Sequence, residues 1–138
     1  MTGQEIIVVK KSWGIFRNID PVLIGDVFYS RVFYKAPALK KMFPASMDGQ
    51  YKKMIDMLSV MVARLERVEE LSTDISELAR RHVAYGVKAW HYAIVGDALL
   101  WTLEQGLGRD WTAEVKDAWA SCYQMLAGAM IAAADKTN

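Results

Sequence analysis

Apolar residues stand at positions 54, 57, 58, 61, 62 and 65, the spacing of one face of a helix. Caps and breakers divide the rest of the chain into segments of the same kind. Thr2 followed by Glu5 fits a capping box and opens a helix to about Arg17. Asp20 before Pro21 sets an N-cap ahead of a first-turn proline and predicts a second helix to about Tyr34. Pro37 opens a short third helix that ends near Phe43-Pro44. SMDGQ, residues 46 to 50, starts a long helix to about Arg67. Thr73 or Asp74 caps a helix to about Tyr85, where Gly86 stops it. Two more run from Tyr92 to Leu107, closed by Gly106 and Gly108, and from Thr112 to about Ala134. No sustained two-residue alternation calls for strands. Seven helices of unequal length, one very short, predict an irregular all-α fold rather than a symmetric bundle.

Composition narrows the function classes. A chain of 138 residues, 53% of them hydrophobic, predicts one domain over 1–138 with a real core, not a disordered segment. The net charge is +1 with acids and bases interspersed, which argues against a nucleic-acid partner. No run approaches the 18 or so apolar residues of a membrane span. The charged start (Glu5, Lys10, Lys11) does not read as a signal peptide. Cys122 is the sole cysteine, so no internal disulfide forms; a reducing compartment, the cytoplasm, is expected.

Both histidines fall in one stretch, RRHVAYGVKAWHYAIVG, residues 80 to 96. Nine residues of continuous helix turn through about 900° and would set His82 and His91 on opposite faces. With one distant cysteine they do not make the three or four ligands that zinc wants. Neither a Gly-x-Ser-x-Gly elbow nor a Gly-rich phosphate loop is present. Haem is the cofactor that needs one histidine only: the porphyrin supplies four nitrogens and the sixth position stays open for a gas. Fifteen aromatics and eight methionines could line its slot, five of those methionines lying between Met42 and Met61. Taken alone, those methionines read first as flexible core packing.

Separated positions then carry a resemblance. Tyr29 lies in DVFYSRVFYKAP, Pro37 follows eight residues later and Phe43 six after that. GQYKKM presents Gln50, Lys53 and Met54; RRHVAYGV presents His82; HYAIVGDALL and EVKDAW follow. In this register the whole chain resembles the globins, above all bacterial single-domain globins, the globin part of flavohaemoglobins and neuroglobin-like proteins. The resemblance implies the globin fold, a three-over-three helical sandwich around a haem pocket, with haem b (iron protoporphyrin IX) as cofactor.

It also implies roles. His82 would take iron through Nε2, and Tyr29 and Gln50 would form the distal polar pair over a five-coordinate ferrous iron. The proximal network of such globins is a tyrosine and a glutamate. Tyr92 matches the tyrosine; the glutamate is missing from AGAMIAAADK, where Ala134 or Asp135 stands nearest. Leu78, one turn before His82, should pack on the porphyrin. Phe28, Phe43, Met54, Met57, Val87, Val95 and Tyr123 are further wall candidates, and Lys53 a partner for a propionate. His91 reads as a surface or propionate-side residue, Cys122 as a buried inert thiol, and Trp90, Trp101 and Trp111 as core. The expected activity is reversible binding of dioxygen, for storage, delivery or scavenging, with NO, CO and cyanide as further ligands. Nitric oxide dioxygenation is the alternative, and would need a separate reductase because no flavin or nicotinamide domain is present in the sequence. A sensor acting through a partner protein is the third.

Overall fold

The computed structural model describes residues 1–137. Its α-helices are α1 (Gly3–Phe16), α2 (Pro21–Lys35), α3 (Asp48–Ala63), α4 (Ser72–Ala84), α5 (His91–Leu107) and α6 (Ala113–Thr137). Short 3-10 segments cover Pro37–Met42, Leu65–Leu71 and Gly108–Asp110. Among the described residues there is no strand, and no helix is long and apolar enough to cross a membrane.

Local chemistry sets most boundaries. Thr2 and Glu5 form the reciprocal capping box of α1, and Asp20 accepts from the Val22 N–H to cap α2. The Val115 N–H reaches the Thr112 hydroxyl at 3.3 Å, so Thr112 caps α6 as expected. Gly86 has φ +90°, a conformation that costs glycine little, and it turns the chain away from α4. Between α3 and α4 the expected boundaries fail. The apolar rhythm through Leu65 predicts one helix to Arg67, but α3 ends at Ala63 and a 3-10 segment follows, broken at Arg67 (φ −132°, ψ 50°). Leu65 is buried all the same, so helical spacing carried past the end of the helix that it seemed to mark. Neither Thr73 nor Asp74 caps α4; it begins at Ser72 directly after the 3-10 segment, with no side-chain cap.

The main packing partners are α1 and α4 on α6, and α2 on both α3 and α5. Two apolar clusters result. The larger joins Val9, Phe16, Val32, Leu103 and Trp119; the smaller joins Met61, Leu71, Ile75, Ala79 and Met130. Met57 packs against both. Ser12 ties α1 to α6 inside the larger one: its hydroxyl donates to the Val8 carbonyl (2.8 Å) and accepts from the Trp119 indole N–H (2.8 Å). Ser12→Ala would leave that indole donor buried and unpaired. A loss of about 1–3 kcal/mol is expected in urea unfolding; a midpoint equal to wild type would show that the bond contributes nothing.

Candidate functional site

Helix α4 turns charged residues (Glu77, Arg80, Arg81) to solvent and buries Ile75 and Ala79. His82 lies half-buried one turn beyond Leu78. Its Nδ1 is 2.8 Å from the Leu78 carbonyl, which can only accept, so Nδ1 carries the proton and Nε2 is left for a ligand. Burial lowers the His82 pKa, Arg81 adds to this, and the Leu78 carbonyl opposes it. The ring is therefore neutral near pH 7, as a metal ligand must be. The partner of Nδ1 is thus Leu78 rather than Tyr92. Tyr92 shares a cleft of about 150 Å³ with His82, Val87, Lys88 and Asp135. Asp135 is the nearest thing to the missing glutamate that the fold brings to this side.

The α2–α3 side carries the other predicted residues. Tyr29 is buried and enclosed by rings: Phe28 at 4.9 Å, Phe43 at 5.3 Å, Tyr51 at 5.7 Å and Phe33 at 6.1 Å between centroids. Burial first, and Tyr51 second, push its phenol up to about 12, so it is a neutral donor at ordinary pH. Gln50 is half-buried in the first turn of α3. Met54 is buried in the larger cluster; Met57, Val95 and Tyr123 are half-buried against it. Burial also raises the Tyr123 pKa, and its hydroxyl donates to the Tyr92 carbonyl at 2.6 Å, which joins α6 to the start of α5. Lys53 is exposed, a position for an edge contact rather than a wall.

The two sides stand apart in a defined way. Helix α3 packs chiefly on α2, and α4 on α6; α3 and α4 are not principal partners of each other. They share a cluster only where Met57 and Met61 meet the residues of Leu71–Ala79. One neutral imidazole with a fixed tautomer, apolar walls and neutral polar donors on the other flank is the donor set that a haem requires.

Two expectations change, and one residue of the site was missed. His91 is buried, not at the surface; its Nδ1 accepts from the Lys88 N–H at 2.8 Å and helps to close the 86–91 corner. Trp90 is 61% exposed rather than core, while Trp101 and Trp111 are half-buried. Tyr51 was not singled out from the sequence, although it lies on the ring of Tyr29. Its neighbour Gln50 carried the motif, and only the contact between α2 and α3 gives Tyr51 away. Cys122 is buried as expected, and burial pushes its thiol up to about 12.

The family model for globins matches residues 26–130, three quarters of the chain, a span that includes Tyr29, Gln50 and His82. The chain belongs to the globin family. A globin-like protein of Aquifex aeolicus is 34% identical over 95% of this chain and 93% of its own length. A flavohemoprotein of Oceanobacillus iheyensis is 28% identical over 95% of this chain, which spans only 34% of that protein. A bacterial globin structure from Campylobacter jejuni superimposes with a TM-score of 0.87 at 24% identity, covering 99% of this chain and 98% of that one. That likeness bears on the fold.

The neutral phenol gives this globin a testable alkaline limit. A raised folded-state pKa for Tyr29 contributes stability that is complete below pH 10 and is lost as pH rises through about 12. Wild type should therefore lose more stability between pH 9 and pH 11 than Tyr29→Phe, read by urea unfolding at each pH. Equal losses would mean that Tyr29 titrates like an exposed phenol.

Proposed function

We propose that this globin binds haem and uses it for reversible binding of dioxygen, in storage, delivery or scavenging. The observation that carries the reading is the His82 ring, its Nδ1 committed to Leu78, set against the neutral, ring-enclosed Tyr29 on the other flank. When bound there, haem would supply an iron with one position open to a diatomic gas. The globin resemblance supports haem of b type, and the chain has no Cys-x-x-Cys-His stretch for the covalent attachment of a c-type haem.

In this reading His82 holds the cofactor through Nε2 and Leu78 keeps the ring in one tautomer and orientation. Phe28, Phe43, Met54, Met57, Val87, Val95 and Tyr123 form walls that exclude water. Tyr29 and Gln50 direct an O–H and an N–H toward the guest, and Tyr92 lies behind His82. A guest that gains negative charge is favoured by such donors, more so in a dry slot than in water. Lys53 serves a propionate from its exposed place. The lone thiol suits a reducing compartment, and the cytoplasm is the proposed location.

An absorption spectrum after haem addition is the first test. Wild type should show a Soret band that His82→Ala weakens or shifts, and a chain without any such band would overturn the haem reading. Tyr29→Phe should release O2 about tenfold faster or more, the worth of one well-made hydrogen bond. An unchanged rate in stopped flow would remove Tyr29 from its role.

A second reading is supported by the flavohemoprotein relative, which resembles this chain over nearly all of its length. It is nitric oxide dioxygenation, with a separate reductase as electron source. Nitrate formation that continues over many turnovers with a reductase, and stops after one without it, would favour this reading over simple carriage.

A further inference from the structure

Tyr29 is held by rings from two sources. Phe28 and Phe33 belong to its own helix, and Phe43 follows the 3-10 segment that is joined to that helix by one residue. They move with α2. Tyr51 comes from α3 and lies nearly parallel to Tyr29, at 28° between ring planes. It is the ring that ties the phenol to the other helix of the distal flank.

The way Tyr51 is seated is specific. Gly25, one turn before Tyr29 on α2, is buried and faces the base of the Tyr51 side chain. A Cβ at position 25 would stand 2.3 Å from Cγ and Cδ1 of Tyr51 and 2.6 Å from its Cβ. These are atoms near the backbone of α3, not the far end of a flexible chain. The missing Cβ of Gly25 is thus the notch that lets α3 approach α2 and lays the Tyr51 ring along Tyr29.

We propose that Tyr51, seated in the Gly25 notch and stacked on Tyr29, is a positioning residue: it fixes the Tyr29 phenol relative to Gln50 on α3 and so sets how long a diatomic guest is retained. This rests on the distal role given to Tyr29 above. The face of the Tyr51 ring is the part of it that meets Tyr29. Gln50 precedes it directly, so one contact registers both distal donors. A phenol freed on one side samples orientations in which its O–H no longer reaches the guest, and only the aligned fraction slows release.

The test uses 3-fluorotyrosine incorporated into the full-length chain, read by fluorine NMR as purified and again after haem and CO addition, with Tyr29→Phe identifying the Tyr29 line. Tyr51→Phe should leave that line narrow and in place, apart from loss of its own signal. Tyr51→Leu, which keeps apolar volume without a ring face, should shift or broaden it and should speed O2 release about tenfold. Gly25→Ala should act like Tyr51→Leu, because the new Cβ displaces the ring. In the double variant Gly25→Ala/Tyr51→Leu the two changes should not add, since both remove one contact.

A Tyr29 line indifferent to Tyr51→Leu and Gly25→Ala would overturn the proposal, whatever the cofactor does. So would a Tyr51→Phe variant as disturbed as Tyr51→Leu, which would assign the effect to the hydroxyl. If instead the Tyr29 line responds as expected while Tyr29→Phe leaves O2 release unchanged, the stack is real and the distal role of Tyr29 fails; the claim on guest retention then falls with it.

Discussion

A backbone carbonyl inside α4 decides which nitrogen of His82 can meet a metal. The Leu78 oxygen lies one turn back and already closes the helical ladder, so its second lone pair takes the Nδ1 proton without a dedicated partner residue. The imidazole is then held in one tautomer by the helix that carries it. Every other part of the site depends on this. Were Nδ1 free, the ring could rotate or present either nitrogen, and no arrangement of donors on the distal flank would be in register with it. The amphipathic pattern of α4 supports the same end, because Ile75 and Ala79 hold the helix on α6 while Arg80 and Arg81 stay in solvent.

The distal flank is built on different physics. Rings enclose the Tyr29 phenol, two of them stacked (Phe33 and Tyr51) and two edge-on (Phe28 and Phe43). Aromatic packing of this kind is non-specific in energy but restrictive in shape, since offset and edge-on arrangements leave few orientations for the enclosed ring. Enclosure also keeps the phenol protonated, with its pKa near 12, so the same contacts that orient the donor preserve it as a donor. The proximal side is fixed by one hydrogen bond and the distal side by crowding. The first responds to changes in α4 alone, the second to how α2 and α3 meet.

Much of this was legible in residue order. The caps at Thr2, Asp20 and Thr112, the stop at Gly86 and the all-helical character are local signals, and the structure bears them out. The family was legible too, through the spacing among Tyr29, Pro37, Phe43, Gln50 and His82, a pattern that runs across several helices. Three kinds of feature were not. The end of α3 is hidden because Leu65 stays buried in a 3-10 segment, and burial rather than helix is what apolar spacing reports. The inward turn of His91 depends on a hydrogen bond to the Lys88 N–H in a corner whose shape no periodicity encodes. Tyr51 is legible only beside Gly25, twenty-six positions away on another helix, since neither residue is unusual in its own segment.

That last pairing bears on how the two flanks communicate. Helix α3 is anchored to α2, and α4 to α6, with Met57 of α3 and Leu126 of α6 packing into both clusters. Methionine is flexible and transmits little strain. A shift of α4 against α6 would act first on the reach of His82, and a slide of α3 along α2 would move Gln50 and Tyr51 together. A close approach across the distal flank is the Gly25–Tyr51 contact, where α3 meets the backbone of α2 with no Cβ between them. Helix α3 also packs on α1, where the Trp13 indole N–H donates to the Ser59 hydroxyl, but the contact that seats it on the backbone of α2 is the one that lies against Tyr29.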